Sequence, residues 1–166
     1  DMNAGILYNG STDGNNNFYL GASMYHINRP KESFQGDQFF NLNGRVTIQA
    51  GGRIPVGQGN SFHFSGNYSR QANATNTVIG GAYALNVNSS EDNPTNVYIG
   101  SWYRFKDAII PYVGLEFGEF HIGATYDVNI SSLKPGSNMR GGAEISLIYI
   151  KKPVDPNAKK LNCPKF

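Results

Sequence analysis

Phe120-His121-Ile122-Gly123-Ala124-Thr125-Tyr126-Asp127-Val128-Asn129-Ile130 is the stretch on which the fold turns. Phe120, Ile122, Ala124, Tyr126, Val128 and Ile130 are apolar, and the interleaved His121, Gly123, Thr125, Asp127 and Asn129 are polar or small. Successive side chains of a β-strand point to opposite faces, so these residues form a strand with one oily side and one wet side. Just upstream, residues 109–117 repeat the pattern, with Val113, Leu115 and Phe117 opposing Tyr112, Gly114 and Glu116. Residues 42–54 do so as well: Leu42, Val46, Ile48 and Ala50 oppose Asn43, Arg45, Thr47, Gln49 and Arg53. Further strands are expected over residues 18–27, 61–69, 77–87, 97–105 and 142–150, and residues 4–8 read as a truncated additional one.

Turn chemistry separates these segments. It is found at Asp13-Gly14, residues 55–60, 72–76 and 88–96, Lys106-Asp107, Gly118-Glu119, and residues 133–138 around Pro135-Gly136; the longest gap spans residues 28–39. The segments are about ten residues long, the length a tilted strand needs to cross a hydrocarbon layer, against about five or six for a strand in water. Aromatic residues sit at or near their ends, as in Phe18 and Tyr25, Phe62 and Tyr68, Tyr103 and Phe105, and Phe120 and Tyr126. That is the distribution of the aromatic girdles of membrane barrels. The fold expected is all-β: an antiparallel transmembrane β-barrel, with about eight complete strands of a larger barrel in this chain. A soluble β-sandwich or lipocalin-like barrel is the competing architecture, but it does not require so polar and glycine-rich a face opposite the oily one.

Composition agrees. Charged residues make up 16% and aromatics 13% of 166 residues, with 20 glycines. Gly and Asn serve tight turns, and aromatics pack well on a pleated surface. The net charge of +2, with Lys and Arg scattered, excludes a nucleic-acid partner bound through a basic patch. No run approaches the roughly 20 apolar residues of a membrane-spanning helix. In a barrel that signal is averaged away by the alternation itself. The chain opens at Asp1 with no charged segment and apolar run of an export signal, which is expected to have been removed or to lie in a missing part of a precursor.

Catalytic and metal chemistry is sought and not found. His26, His63 and His121 fall on different expected strands, none at H-E-x-x-H spacing, and neither a G-x-S-x-G elbow, a P-loop nor a G-x-G-x-x-G occurs. Asp13, Asn15 and Asn17 mimic the start of a calcium loop, but Met24 stands where the bidentate Glu belongs. Cys163 is a lone cysteine. No cofactor is expected. The wet faces carry Arg45, Arg53, Arg104, Glu116, Asp127 and Glu144, which inside a barrel must pair. An ion-pair network filling the lumen is favoured over a gate or a substrate contact. Residues 152–166 are a separate basic tail, in which Lys152, Lys159, Lys160 and Lys165 face only Asp155. Pro153, Pro156 and Pro164 oppose regular structure there. It is either a flap or loose end, or a periplasmic docking strip in which Lys159 and Lys160 steer while Leu161, Cys163 and Phe166 anchor.

The strings Ile109-Ile110-Pro111-Tyr112-Val113-Gly114-Leu115-Glu116-Phe117, Ile122-Gly123-Ala124-Thr125-Tyr126-Asp127-Val128-Asn129 and Arg140-Gly141-Gly142-Ala143-Glu144-Ile145-Ser146-Leu147-Ile148-Tyr149 are distinctive. With the terminal Cys163-Pro164-Lys165-Phe166, and earlier Tyr19-Leu20-Gly21-Ala22-Ser23, His26 and Asn28-Arg29-Pro30, they resemble the PorP/SprF family over nearly the whole chain. The resemblance implies a non-enzymatic outer-membrane β-barrel of a Gram-negative bacterium, part of the type IX secretion system and in some members of gliding motility. It implies partners in outer-membrane lipid, in the periplasmic ring of the secretion machine and in a secreted adhesin. Family members are longer, so residues 1–151 are expected to be the C-terminal portion of a larger barrel, the C-terminal half of the protein. Bacterial barrels usually have even strand counts, and a truncated strand ahead of eight complete ones leaves an odd remainder. A passive pore or hydrophobic-solute transporter is the alternative, and needs an open lumen. An outer-membrane hydrolase would need an acid and base at the rim, where only His26 near Glu32 and Asp37 is a candidate.

Overall fold

The computed structural model describes residues 1–12, 15–33, 40–88, 95–131 and 140–151. Every regular element among them is a strand. Nine form one sheet: β1 (Ala4–Gly10), β2 (Asn17–Tyr25), β5 (Arg45–Val56), β6 (Asn60–Gln71), β7 (Ala74–Asn88), β8 (Thr95–Arg104), β9 (Ala108–Phe117), β10 (Phe120–Asn129) and β11 (Arg140–Tyr149). Two short ones, β3 (Lys31–Glu32) and β4 (Phe40–Asn41), pair as a ribbon inside the long connection between β2 and β5. The sheet is an antiparallel meander in the order β1-β2-β5-β6-β7-β8-β9-β10-β11, an arc with β1 and β11 at its two edges. The turn residues Asp13-Gly14 and 133–138, and the basic tail 152–166 with Lys159, Lys160, Leu161, Cys163 and Phe166, lie outside the described residues.

The nine strands of the sheet are those the alternation predicts, the short β3 and β4 are not, and two of the shifted bounds are instructive. The first is not truncated at residue 8: it continues to Gly10, in register with β2 along its whole length. The turn expected over residues 72–76 closes within Ala72 and Asn73, because Gln71 already pairs with Ala74; this tight reversal holds Ala72 at φ 51°. Gly118 opens the equally tight β9–β10 turn at φ 56°, a conformation that costs a glycine nothing.

Following the register across the sheet assigns every strand residue to one of two faces. Ile122 lies between Leu115 and Leu147, and Val113 between Ile99 and Ala124. Their face is apolar and uncovered: Ile99 is 58% exposed, Val113 58%, Leu147 67% and Ile145 84%. Rings border it at both ends. Tyr8 and Phe18 meet at 6.0 Å, and Phe117, Phe120 and Tyr149 follow one another at 5.7 and 5.1 Å, at the end where β9 turns into β10; Tyr103 and Phe105 meet at 5.0 Å at the opposite end. A soluble sandwich would lay a second sheet over such a face. Here none of the described elements covers it, as expected of a sheet whose oily side faces lipid.

The buried residues other than glycine sit on the other face: Ser61, Ala82, Ala84, Tyr98, Ala108 and Glu116. That face is concave, because side chains two strands apart touch across the strand between them. Trp102 of β8 donates from Nε1 to Ser65 Oγ of β6 at 2.7 Å, over β7. Adjacent strands are about 4.8 Å apart, so this reach requires both curvature and a low strand beneath it. β7 supplies the low strand, with Gly80, Ala82 and Ala84 on this face.

Candidate functional site

The concave face of β6 to β11 carries a recess of about 280 Å³. Ala82 lies at its floor, 3% exposed, and its walls include His63, Ser65, Tyr98, Trp102, Tyr112, His121, Thr125 and Ser146. Its rings are held from behind. Tyr112 lies down over two glycines of neighbouring rows: a Cβ at Gly123 would come within 2.9 Å of the Tyr112 ring, and one at Gly114 would collide with its hydroxyl. That hydroxyl is hydrogen-bonded to His121 Nε2 at 2.7 Å. Trp102 meets Tyr112 edge to face, with centroids 5.5 Å apart at 85°, and its indole nitrogen is fixed by Ser65. Tyr98 stands between two imidazoles, 5.4 Å from His63 and 4.8 Å from His121.

Below the recess, toward the β9–β10 turn, Glu116 is 6% exposed. It accepts hydrogen bonds from the Tyr98 hydroxyl at 2.6 Å and from Asn96 Nδ2 at 3.3 Å. Asn96 accepts in turn from Asn86 Nδ2 at 3.0 Å. A buried carboxylate is tolerated when its lone pairs are met by such donors. At the other end Arg104 donates to Asp127 at 2.8 Å and to Asp107 at 3.2 Å, a partly exposed triad that ties β8 and β10 to the turn between β8 and β9.

Arg45, Arg53, Arg104, Glu116, Asp127 and Glu144 therefore share the concave face. Arg104 and Asp127 bond each other. Arg45 packs on the Tyr25 ring, 4.3 Å from its centroid. Arg53 donates to the Asn15 carbonyl at 3.3 Å. Glu144 is exposed on the edge strand β11, in register with Thr125. At the rim, His26 meets Asp1, Nδ1 to Oδ2 at 2.7 Å, so its described carboxylate partner is neither of those near it in sequence; Glu32 sits in the β3–β4 ribbon, and Asp37 is outside the described residues.

Sequence reasoning treats His63 and His121 as isolated, and here it is incomplete. Both lie on the polar face of their strands, and the register brings them to either side of Tyr98. The available signal was their shared phase with Tyr98, Trp102 and Tyr112, read across the hairpins instead of along one strand. Ser61 Oγ and His63 Nε2 lie 3.0 Å apart, a nucleophile–base distance, but Ser61 is buried, 3% exposed. Among the described residues no three of His, Cys, Asp and Glu are placed to hold a metal ion. The chemistry available is recognition: flat rings, hydroxyls and imidazoles around a hollow.

The family described as type IX secretion system membrane protein PorP/SprF matches residues 1–149. No curated protein matches the chain, and no solved structure does.

Proposed function

Because the chain belongs to the PorP/SprF family of type IX secretion system membrane proteins, we propose that it forms part of the wall of an outer-membrane barrel. In this reading the barrel helps to export or anchor surface adhesins and touches the periplasmic ring of the secretion machine, without catalysing a reaction. The observation that carries it is the uncovered apolar face, bordered by rings at both ends, behind a polar concave face. A membrane offers no hydrogen bonds to a strand edge. The free sides of β1 and β11 must then be sealed by further strands, which supports taking residues 1–151 as the C-terminal portion of a larger barrel.

Barrels of this kind keep short turns in the periplasm and longer loops outside. Connections 26–44, 72–73, 105–107 and 130–139 lie at one end, the two longest of the chain among them; connections 11–16, 57–59, 89–94 and 118–119, none longer than six residues, lie at the other, where the chain also leaves β11 toward residue 151. On that orientation the basic tail 152–166 is periplasmic. We infer that Lys159 and Lys160 steer it to an acidic face of the ring and that Leu161, Cys163 and Phe166 anchor it.

Three measurements test this. The full protein should fractionate with the outer membrane and shift its gel migration on heating; recovery in the soluble fraction without detergent would refute the barrel. Deleting the residues after Lys152 should leave a heat-modifiable barrel that no longer co-purifies with the periplasmic ring and no longer supports adhesin export. Undiminished export and co-purification would refute the docking role, and steady conductance in planar bilayers would favour a pore instead.

A further inference from the structure

The geometry points to the recess on the concave face as a binding site for a neutral sugar ring, with Tyr112 and Trp102 as its stacking surfaces. The inference rests on the concave face being the lumen of the proposed barrel.

Three features select the ligand class. The lining carries no Asp, Glu, Lys or Arg, so a charged group entering it would lose its hydration without a counter-charge. Glu116 lies behind Tyr98, engaged by its hydroxyl. The two rings stand at 85° to each other and are set before any ligand arrives, Trp102 by Ser65 and Tyr112 by His121 and the glycines beneath it. Preset rings bind with little loss of side-chain freedom. Finally, three hydroxyls stand in a lining otherwise made of rings and aliphatic carbon such as Ile148: Thr125, Ser65, whose Oγ accepts from Trp102 and keeps its proton to donate, and Ser146, whose Oγ donates to the Gly123 carbonyl at 3.5 Å and keeps lone pairs to accept. A hydrocarbon chain or an apolar peptide side chain would leave that remaining hydrogen-bonding capacity unmet. A pyranose presents C–H groups to an aromatic face and hydroxyls around its edge, which meets both demands. The volume of about 280 Å³ is just below the roughly 300 Å³ at which sites for drug-sized molecules begin, and suits one ring of a longer glycan.

Trp102, the one tryptophan of this chain, lies in the wall of the recess, and the part of the full protein's emission that Trp102→Phe removes reports on occupancy. The full protein, folded and heat-modifiable in a sugar-free zwitterionic detergent, is titrated with maltotetraose and with chitotetraose. A saturable change in Trp102 emission with at least one of them is expected. Tyr112→Ala should weaken it at least about fivefold, the loss of one stacked ring. Thr125→Val, which keeps shape and removes one hydroxyl, should weaken it while leaving heat-modifiability intact, so that a folding defect in Tyr112→Ala cannot mimic the result. No saturable change with either sugar in a heat-modifiable protein would overturn the site and leave the barrel standing. A response to N-acetyl-phenylalaninamide or decanol but not to the sugars would overturn the ligand class. A parent protein that is not heat-modifiable would overturn the barrel reading and this site with it.

Discussion

Substituting Ile99, Ile122 and Thr125 by Arg, one at a time, separates the two faces and measures depth along one of them. Ile99 is at the centre of β8, 58% exposed on the apolar face. A strand rises about 3.4 Å per residue and tilts by about 40°, so Ile99 lies roughly 10 Å from either end of its strand, near the middle of the hydrocarbon. Arg there is expected to cost about 2–4 kcal/mol, one to three orders of magnitude in the folding equilibrium. Ile122 faces the same way but is only two residues from Phe120, in the ring band with Phe117 and Tyr149. Its Arg can reach the headgroups, and the cost should fall to about 1 kcal/mol. Thr125 has the depth of Ile99 and the opposite facing, in register with Tyr112 and Glu144. Arg at Thr125 meets a carboxylate across the strand pair and should be nearly neutral to folding. The measurement is urea titration in lipid vesicles, with the heat-modifiable gel band as the folded fraction. Equal penalties at Ile99 and Thr125 would mean that the faces are assigned wrongly, and a penalty at Ile122 as large as at Ile99 would refute the depth assignment.

The same titration tests three more sites. Glu116→Leu strips the acceptor from the Tyr98 hydroxyl and Asn96 at a position 6% exposed, and should cost about 1–3 kcal/mol, whereas Glu116→Gln, which keeps an acceptor oxygen, should cost less. Asp127→Asn leaves Arg104 with Asp107 and lies in a partly exposed triad, so its cost should not exceed about 1 kcal/mol. Gly123→Val places carbon where the Tyr112 ring and Ser146 Oγ now approach, at 2.9 and 2.8 Å; it should cost about 1–3 kcal/mol and alter Trp102 emission as Tyr112 is lifted. Unchanged emission in Gly123→Val would show that Tyr112 does not depend on its glycine seat.

The alternation of residues 120–130 determined much by itself. Because side chains of a strand change face at every residue, the oily and wet sets of β10 are a local property, and the same holds for β5 and β9. That Arg45, Arg53, Arg104, Glu116, Asp127 and Glu144 share one face follows from parity, and turn residues placed most strand ends within two or three positions. What parity leaves undetermined is which residue of one strand stands beside which of the next, and how strongly the sheet bends. Those depend on turn length and register, as when Ala72 and Asn73 alone reverse the chain so that Gln71 meets Ala74. They depend also on small residues, since Gly80 and Ala82 lower β7 enough for Trp102 to reach Ser65. Only the tertiary structure could therefore place His63 and His121 around Tyr98, give Glu116 its donors from the neighbouring strand, and bring Asp1 to His26. Contacts between residues distant in the chain are set by pairing and curvature, and no periodicity within one strand records them.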